Sequence, residues 1–151
     1  MRLSRCLLAL LCICVTPWAL AQHVVVDNAW VRATVPGQKA TGAFMQLTAS
    51  EDMYLVSASS AIAGYGEVHE MHMEGDVMRM RALREGVLLP AGQRIELRPG
   101  ALHLMLMDLH QPVSKGSTVA LTLVFRRADG SRQQLDIAAP ASLTPPVPAA
   151  K

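Results

Sequence analysis

The chain has 151 residues, about one domain's worth, with 14 basic and 12 acidic side chains. Arg2 and Arg5 lie in a stretch that reads as an export leader, so the remainder is balanced in charge, and its longest basic run is Arg126-Arg127. That balance excludes the electrostatic footprint of a nucleic-acid binder and of a polybasic membrane patch.

Taken in chain order, the leader comes first. Met1 to Ala21 carries the two arginines, then the apolar run Cys6 to Val15, then Ala19-Leu20-Ala21, which has the small-x-small form of a cleavage site. The apolar run is well short of the roughly 20 residues that span a bilayer. Residues 1–21 are therefore expected to be removed, leaving a periplasmic chain without stable membrane insertion. Cys6, Cys12 and Cys14 all fall in the leader, so the mature chain is expected to be thiol-free. No lipid anchor is expected, because Cys12 and Cys14 follow Leu11 and Ile13 where a lipoprotein site takes a small residue. Without thiols the domain is held by its core alone, and it can use neither a cysteine nucleophile, a thiolate zinc site nor a blue-copper centre.

After the leader, short runs of alternating apolar and polar residues are punctuated by Gly, Pro, Asn and Asp. His23 to Arg32, Thr41 to Thr48, Met53 to Ser59, Glu67 to Met73, Val77 to Leu83, Arg94 to Arg98, His103 to Leu109, Thr118 to Arg126 and Arg132 to Ile137 all read as strands. No segment sustains a helical period. The pattern predicts an all-β domain over 22–139, an antiparallel β-sandwich or Greek-key barrel. Residues 140–151, with four prolines, read as a disordered Pro/Ala-rich tail.

Methionine is the unusual residue. Met71, Met73, Met78 and Met80 fall within ten positions, beside His69 and His72, and His103, Met105 and Met107 follow downstream. Glu74-Gly75-Asp76-Val77 fits a tight hairpin with Gly75 and Asp76 at its tip. That register sets Met73 opposite Met78 and Met71 opposite Met80, with His69 diagonal to Met80 and on the same face. His72 points the other way. His103, Met105 and Met107 share one face of a later strand by the two-residue period.

Thioether sulfur is soft and uncharged, so it favours Cu(I) over Mg(II), Ca(II) or Zn(II), and it is not lost to disulfide formation in an oxidising compartment. A His/Met set without Cys suits Cu(I) held outside the cytoplasm. Alternate methionines also serve as core filler, and histidines on such a face as satisfied rim residues. From the residues alone both readings stand, together with that of a metal-free sandwich acting as an interaction module. Nothing favours an enzyme: there is no Gly-x-Ser-x-Gly turn, and Glu67 and Glu70 beside His69 do not make an acid/base pair.

The residues His69, a gap of ten, Met80, a gap of about twenty, then His103-x-Met105 resemble the His-x10-Met-x21/22-His-x-Met signature of the periplasmic copper chaperones called PCuAC. The flanking text Gly75-Asp76-Val77-Met78-Arg79-Met80-Arg81, Leu89-Pro90-Ala91-Gly92 and Arg98-Pro99-Gly100 is similar too, as is Ala29-Trp30-Val31-Arg32 near the start. The likeness covers about His23 to Ala138. The resemblance implies a cupredoxin-like fold and one Cu(I) bound near the surface by His69, Met80, His103 and Met105. It also implies delivery by ligand exchange to an acceptor such as the copper subunit of cytochrome c oxidase, directly or with a Sco-type thioredoxin-fold protein. A monomer is expected. A copper buffer or resistance protein is the alternative from the same chemistry. Because neutral imidazole is required, affinity is expected to weaken as pH falls through about 6.5.

Within this set Met71 is the rival ligand, read here as a shield against water. Met73, Met78 and Met107 are expected to pack or to form a soft rim, His72 and His110 to be surface residues, and Trp30 to be core. His23, second from the expected new terminus, could catch Cu(II) weakly with the terminal amine. The tail lacks the His and Met that would make a second Cu(II) site.

Overall fold

The computed structural model describes residues 23–146; residues 1–22, which hold the expected leader, and residues 147–151 of the expected tail lie outside them. Ten strands run in chain order: β1 (Val24–Arg32), β2 (Ala40–Ala49), β3 (Met53–Ser59), β4 (Ala63–Glu74), β5 (Val77–Ala82), β6 (Val87–Leu89), β7 (Arg94–Leu97), β8 (His103–Leu109), β9 (Thr118–Arg127) and β10 (Arg132–Ser142). Among the described residues no helix is long and apolar enough to cross a membrane.

The strands form one sheet, nine of them in the order β5-β4-β8-β2-β1-β10-β9-β3-β6 with β7 pairing β2 off that path, and a further β3–β4 pairing closes seven of them into a barrel. Closure is made by one rung, Ala58 against Gly66. Gly66 is needed there, because a Cβ would collide with the Ala58 carbonyl. The pairings are antiparallel except β1 with β10, which are parallel. Inward-facing residues fill the barrel by strict alternation: Leu104 and Leu106 from β8, Leu121, Leu123 and Phe125 from β9, and Leu47 from β2 are fully buried or nearly so.

Two expectations are corrected and one is refined. A tenth strand, β6, pairs with β3 through only three rungs. Pro140 does not end the last strand: β10 runs to Ser142, and Ala141 and Ser142 pair with Val31 and Arg32 of β1. Ala141 N–H donates to the Ser117 carbonyl at 2.8 Å, so by alternation the Pro140 nitrogen points away from β9 and no bond of that ladder is lost. Trp30 is buried, as expected, on the outer side of the sheet. A bulge between Asp27 and Trp30, with Asn28 at φ 52°, reverses the alternation of β1, so Val31 enters the core and Trp30 stacks on Phe44 at 4.5 Å.

The β4–β5 hairpin projects from this frame. β4 pairs with β8 from Ala63 to His69, whose partner is His103, and beyond that rung residues 70–74 pair only with β5.

Candidate metal centre

The hairpin has the register its sequence requires: Met71 opposes Met80, Met73 opposes Met78, and Glu74 opposes Val77 across a tip at Gly75 (φ 63°) and Asp76. One face carries the four methionines. The other carries ion pairs between Arg79 and Glu74 at 2.6 Å and between Arg81 and Glu70 at 2.9 Å. His72 stands on that charged face, as alternation requires. Contrary to expectation it is half-buried, with an enclosed Nδ1 that has no hydrogen-bond partner. It stands between the two ion pairs and not with His69. His110 is exposed.

At the base of the hairpin the last β4–β8 rung sets His69 beside His103, ring centroids 5.9 Å apart and edge to face. Both residues are 6% exposed, although their side chains point away from the barrel core. Burial of an imidazole requires partners for its nitrogens; His69 has one on one side only, and His103 has a carbonyl on one side and a thioether sulfur on the other. The Arg98-Pro99-Gly100-Ala101 turn, with Gly100 at φ 79° and Ala101 N bonded to Arg98 O, brings the Ala101 carbonyl to 2.8 Å from His103 Nδ1. A carbonyl only accepts, so Nδ1 carries the proton, and Nε2 of the neutral ring presents a lone pair. That lone pair faces Met80 Sδ at 3.3 Å.

His69 is oriented from the opposite nitrogen. Glu67, two residues earlier and so on the same face, accepts from His69 Nε2 at 2.9 Å. Its Nδ1 is left as a bare acceptor, enclosed and without a partner. In the neutral form of each ring these partners leave a lone pair on His69 Nδ1 and on His103 Nε2. Two electron-pair donors at 3.3 Å, His103 Nε2 and Met80 Sδ, do not bond to one another. No group of three His, Cys, Asp or Glu gathers among the described residues, so an ion held here would recruit sulfur.

Met105 follows His103 on the same face of β8, opposite Glu67 and Gly42. It lines an open groove with His103, Met71, Phe44 and Arg32. Phe44 walls that groove because Gly42 has no side chain: its ring lies over Gly42, where a Cβ would strike it, and reaches to 6.4 Å from the His103 ring centroid. Met71 is half-buried in the groove opposite Met80. Met80 is 49% exposed. The structure sets His69 beside His103, Met80 against His103, and Met105 in the groove with His103; sequence reasoning missed Glu67, Phe44 and the Ala101 carbonyl around them. For Glu67 the signal was present, since i and i+2 share a strand face. His23 is engaged elsewhere, its Nδ1 3.2 Å from Glu51, a carboxylate also bound by Arg127.

A family model described as "Putative lipoprotein LpqE-like" matches residues 24–139. "Putative lipoprotein Lxx21020" of Leifsonia xyli subsp. xyli is 34% identical over 116 residues, 77% of this chain and 69% of that protein. Among solved structures, the Cu(I) form of DR1885 from Deinococcus radiodurans is 29% identical with a TM-score of 0.60, over 81% of each chain. The copper-bound PCuAC domain from PmoF2 has a TM-score of 0.59 over 80% of this chain and 94% of that one; at 21% identity it bears on the fold alone. The barrel is thus cupredoxin-like, and the chain belongs to the LpqE-like family, which is the family of PCuAC domains.

Proposed function

We propose that this protein is an exported copper chaperone, not an enzyme, that binds one Cu(I) through His69, Met80, His103 and Met105 and releases it by ligand exchange. The observation that carries this reading is the pair of oriented, buried imidazoles. His69 Nδ1 is enclosed without a partner, and His103 Nε2 is aimed at the Met80 sulfur. A buried acceptor left unmatched costs stability, and a soft cation between these atoms satisfies both rings at once. Cu(I) in the similar DR1885 supports the choice of metal.

Transfer follows from unequal exposure. The imidazoles are closed off, whereas Met80 stands at the surface. An incoming ligand from an acceptor displaces the exposed thioether first, and the imidazoles let go last. No electron moves, and Cu(I) stays Cu(I). The acceptor we assign is a copper subunit of cytochrome c oxidase, reached directly or through a Sco-type thioredoxin-fold protein.

Titration of Cu(I) against a chromophoric competitor tests the donor set. Combined His103→Ala and Met105→Ala is expected to abolish competition at one equivalent, with the far-ultraviolet spectrum of the folded barrel retained. Unchanged affinity in that variant rejects the assignment. X-ray absorption of the loaded protein should count two nitrogen and two sulfur neighbours.

A further inference from the structure

We propose that Met73 and Met78 form a second, outer site for a soft monovalent metal ion, through which Cu(I) enters and leaves the inner centre. The proposal rests on the Cu(I) reading of that centre. Met73 and Met78 are 57% and 55% exposed, so neither packs into the fold. They face each other across the hairpin, which places their Cβ atoms about 5 Å apart, within reach of a shared ion for side chains of this length. All six residues of β5 are exposed, and β5 ends the sheet path among the described residues. An exposed edge hairpin is ordinarily kept soluble by polar and charged side chains. The opposite face obeys that rule with its two ion pairs. This face carries methionine at all four positions, which packing does not explain.

The chemistry supplies a reason. Two uncharged thioethers bind Cu(I) or Ag(I) weakly, exclude hard cations, and leave coordination positions open to a third ligand. The Met73–Met78 rung lies two residues, about 7 Å, beyond the Met71–Met80 rung. Met80 in turn already touches His103. An ion can therefore step inward by exchanging one thioether for the next, with no proton or electron transferred, until imidazole replaces sulfur. The order of affinity follows the order of burial, from the exposed tip to the enclosed rings.

The test uses the whole mature protein labelled with 13C at the methionine ε-methyls and titrated with Ag(I), a redox-inert stand-in for Cu(I). A first equivalent should shift the Met80 and Met105 methyls, and a second, weaker one the Met73 and Met78 methyls. Combined Met73→Leu and Met78→Leu preserves size and apolar area. It should keep the first equivalent, lose the second, and slow release of bound Cu(I) to bicinchoninate several-fold. Unmoved Met73 and Met78 methyls, or unchanged release in the double variant, overturn the proposal and leave a face that is merely apolar. If instead the Met73 and Met78 methyls respond while Met80 and Met105 do not, the inner reading fails and the outer site stands.

Discussion

The two faces of β8 are both buried at its start yet differ in kind. Leu104 and Leu106 point inward and are wholly enclosed by hydrocarbon, whereas His103, between Leu102 and Leu104 in the chain, points outward and is almost as enclosed. Depth alone does not separate them. What separates them is satisfaction: the leucines need only contact, but His103 has a carbonyl on one nitrogen and an unmatched sulfur at the other. A two-residue period thus lets consecutive positions of one strand serve stability and chemistry independently, and each prediction below is a way to test that independence.

The largest effect is expected on the inner face. Leu104→Ala deletes a fully buried side chain and should cost about 2–5 kcal/mol through lost burial and the cavity left behind, read as a lower urea midpoint. At temperatures where the variant stays folded, its Cu(I) affinity should match the parent's. An affinity loss as large as that of the His103→Ala, Met105→Ala double variant would mean that the faces are coupled through the backbone.

An intermediate effect is expected one step behind the donors. Glu67 fixes the His69 tautomer by accepting from Nε2. Removing such a partner of a metal-binding imidazole typically costs about 10–100-fold in affinity. Glu67→Ala should show that loss in a competitor titration with little change in unfolding, since Glu67 is partly exposed. Glu67→Gln keeps an oxygen that accepts from Nε2 and should recover most of the affinity. If alanine and glutamine behave alike, the hydrogen bond does not orient the ring.

The hairpin and its faces were legible in the sequence because turn chemistry and period agree there. Gly75-Asp76 fixes the register, and register fixes which methionines meet. Where the structure departed from expectation, a single residue broke the period or hid it. The bulge at Asn28 turned Trp30 outward although Val24 and Val26 put it inward by count. Pro140 looked like a stop because its missing donor is visible in the sequence, while the direction that donor would have faced is not. β6 is too short for alternation to register. The Ala101 carbonyl escaped notice because a backbone group carries no sequence signal, even though the Pro99-Gly100 turn that aims it was plain.

The smallest effect marks where the chemical face of β8 ends. Met107 shares that face with His103 and Met105 but lies opposite Tyr65 and Ala40, neither of which offers a soft donor. It stands two residues, about 7 Å, past Met105. Met107→Leu replaces a thioether by hydrocarbon of similar volume, a change that usually costs under about 1.5 kcal/mol. Its Cu(I) affinity should be that of the parent, whereas Met105→Leu, the same exchange one step nearer the imidazoles, should weaken binding severalfold. Equal losses in the two variants would move the centre along the strand, away from the His69–His103 rung. A loss at Met107 alone would remove Met105 from the donor set.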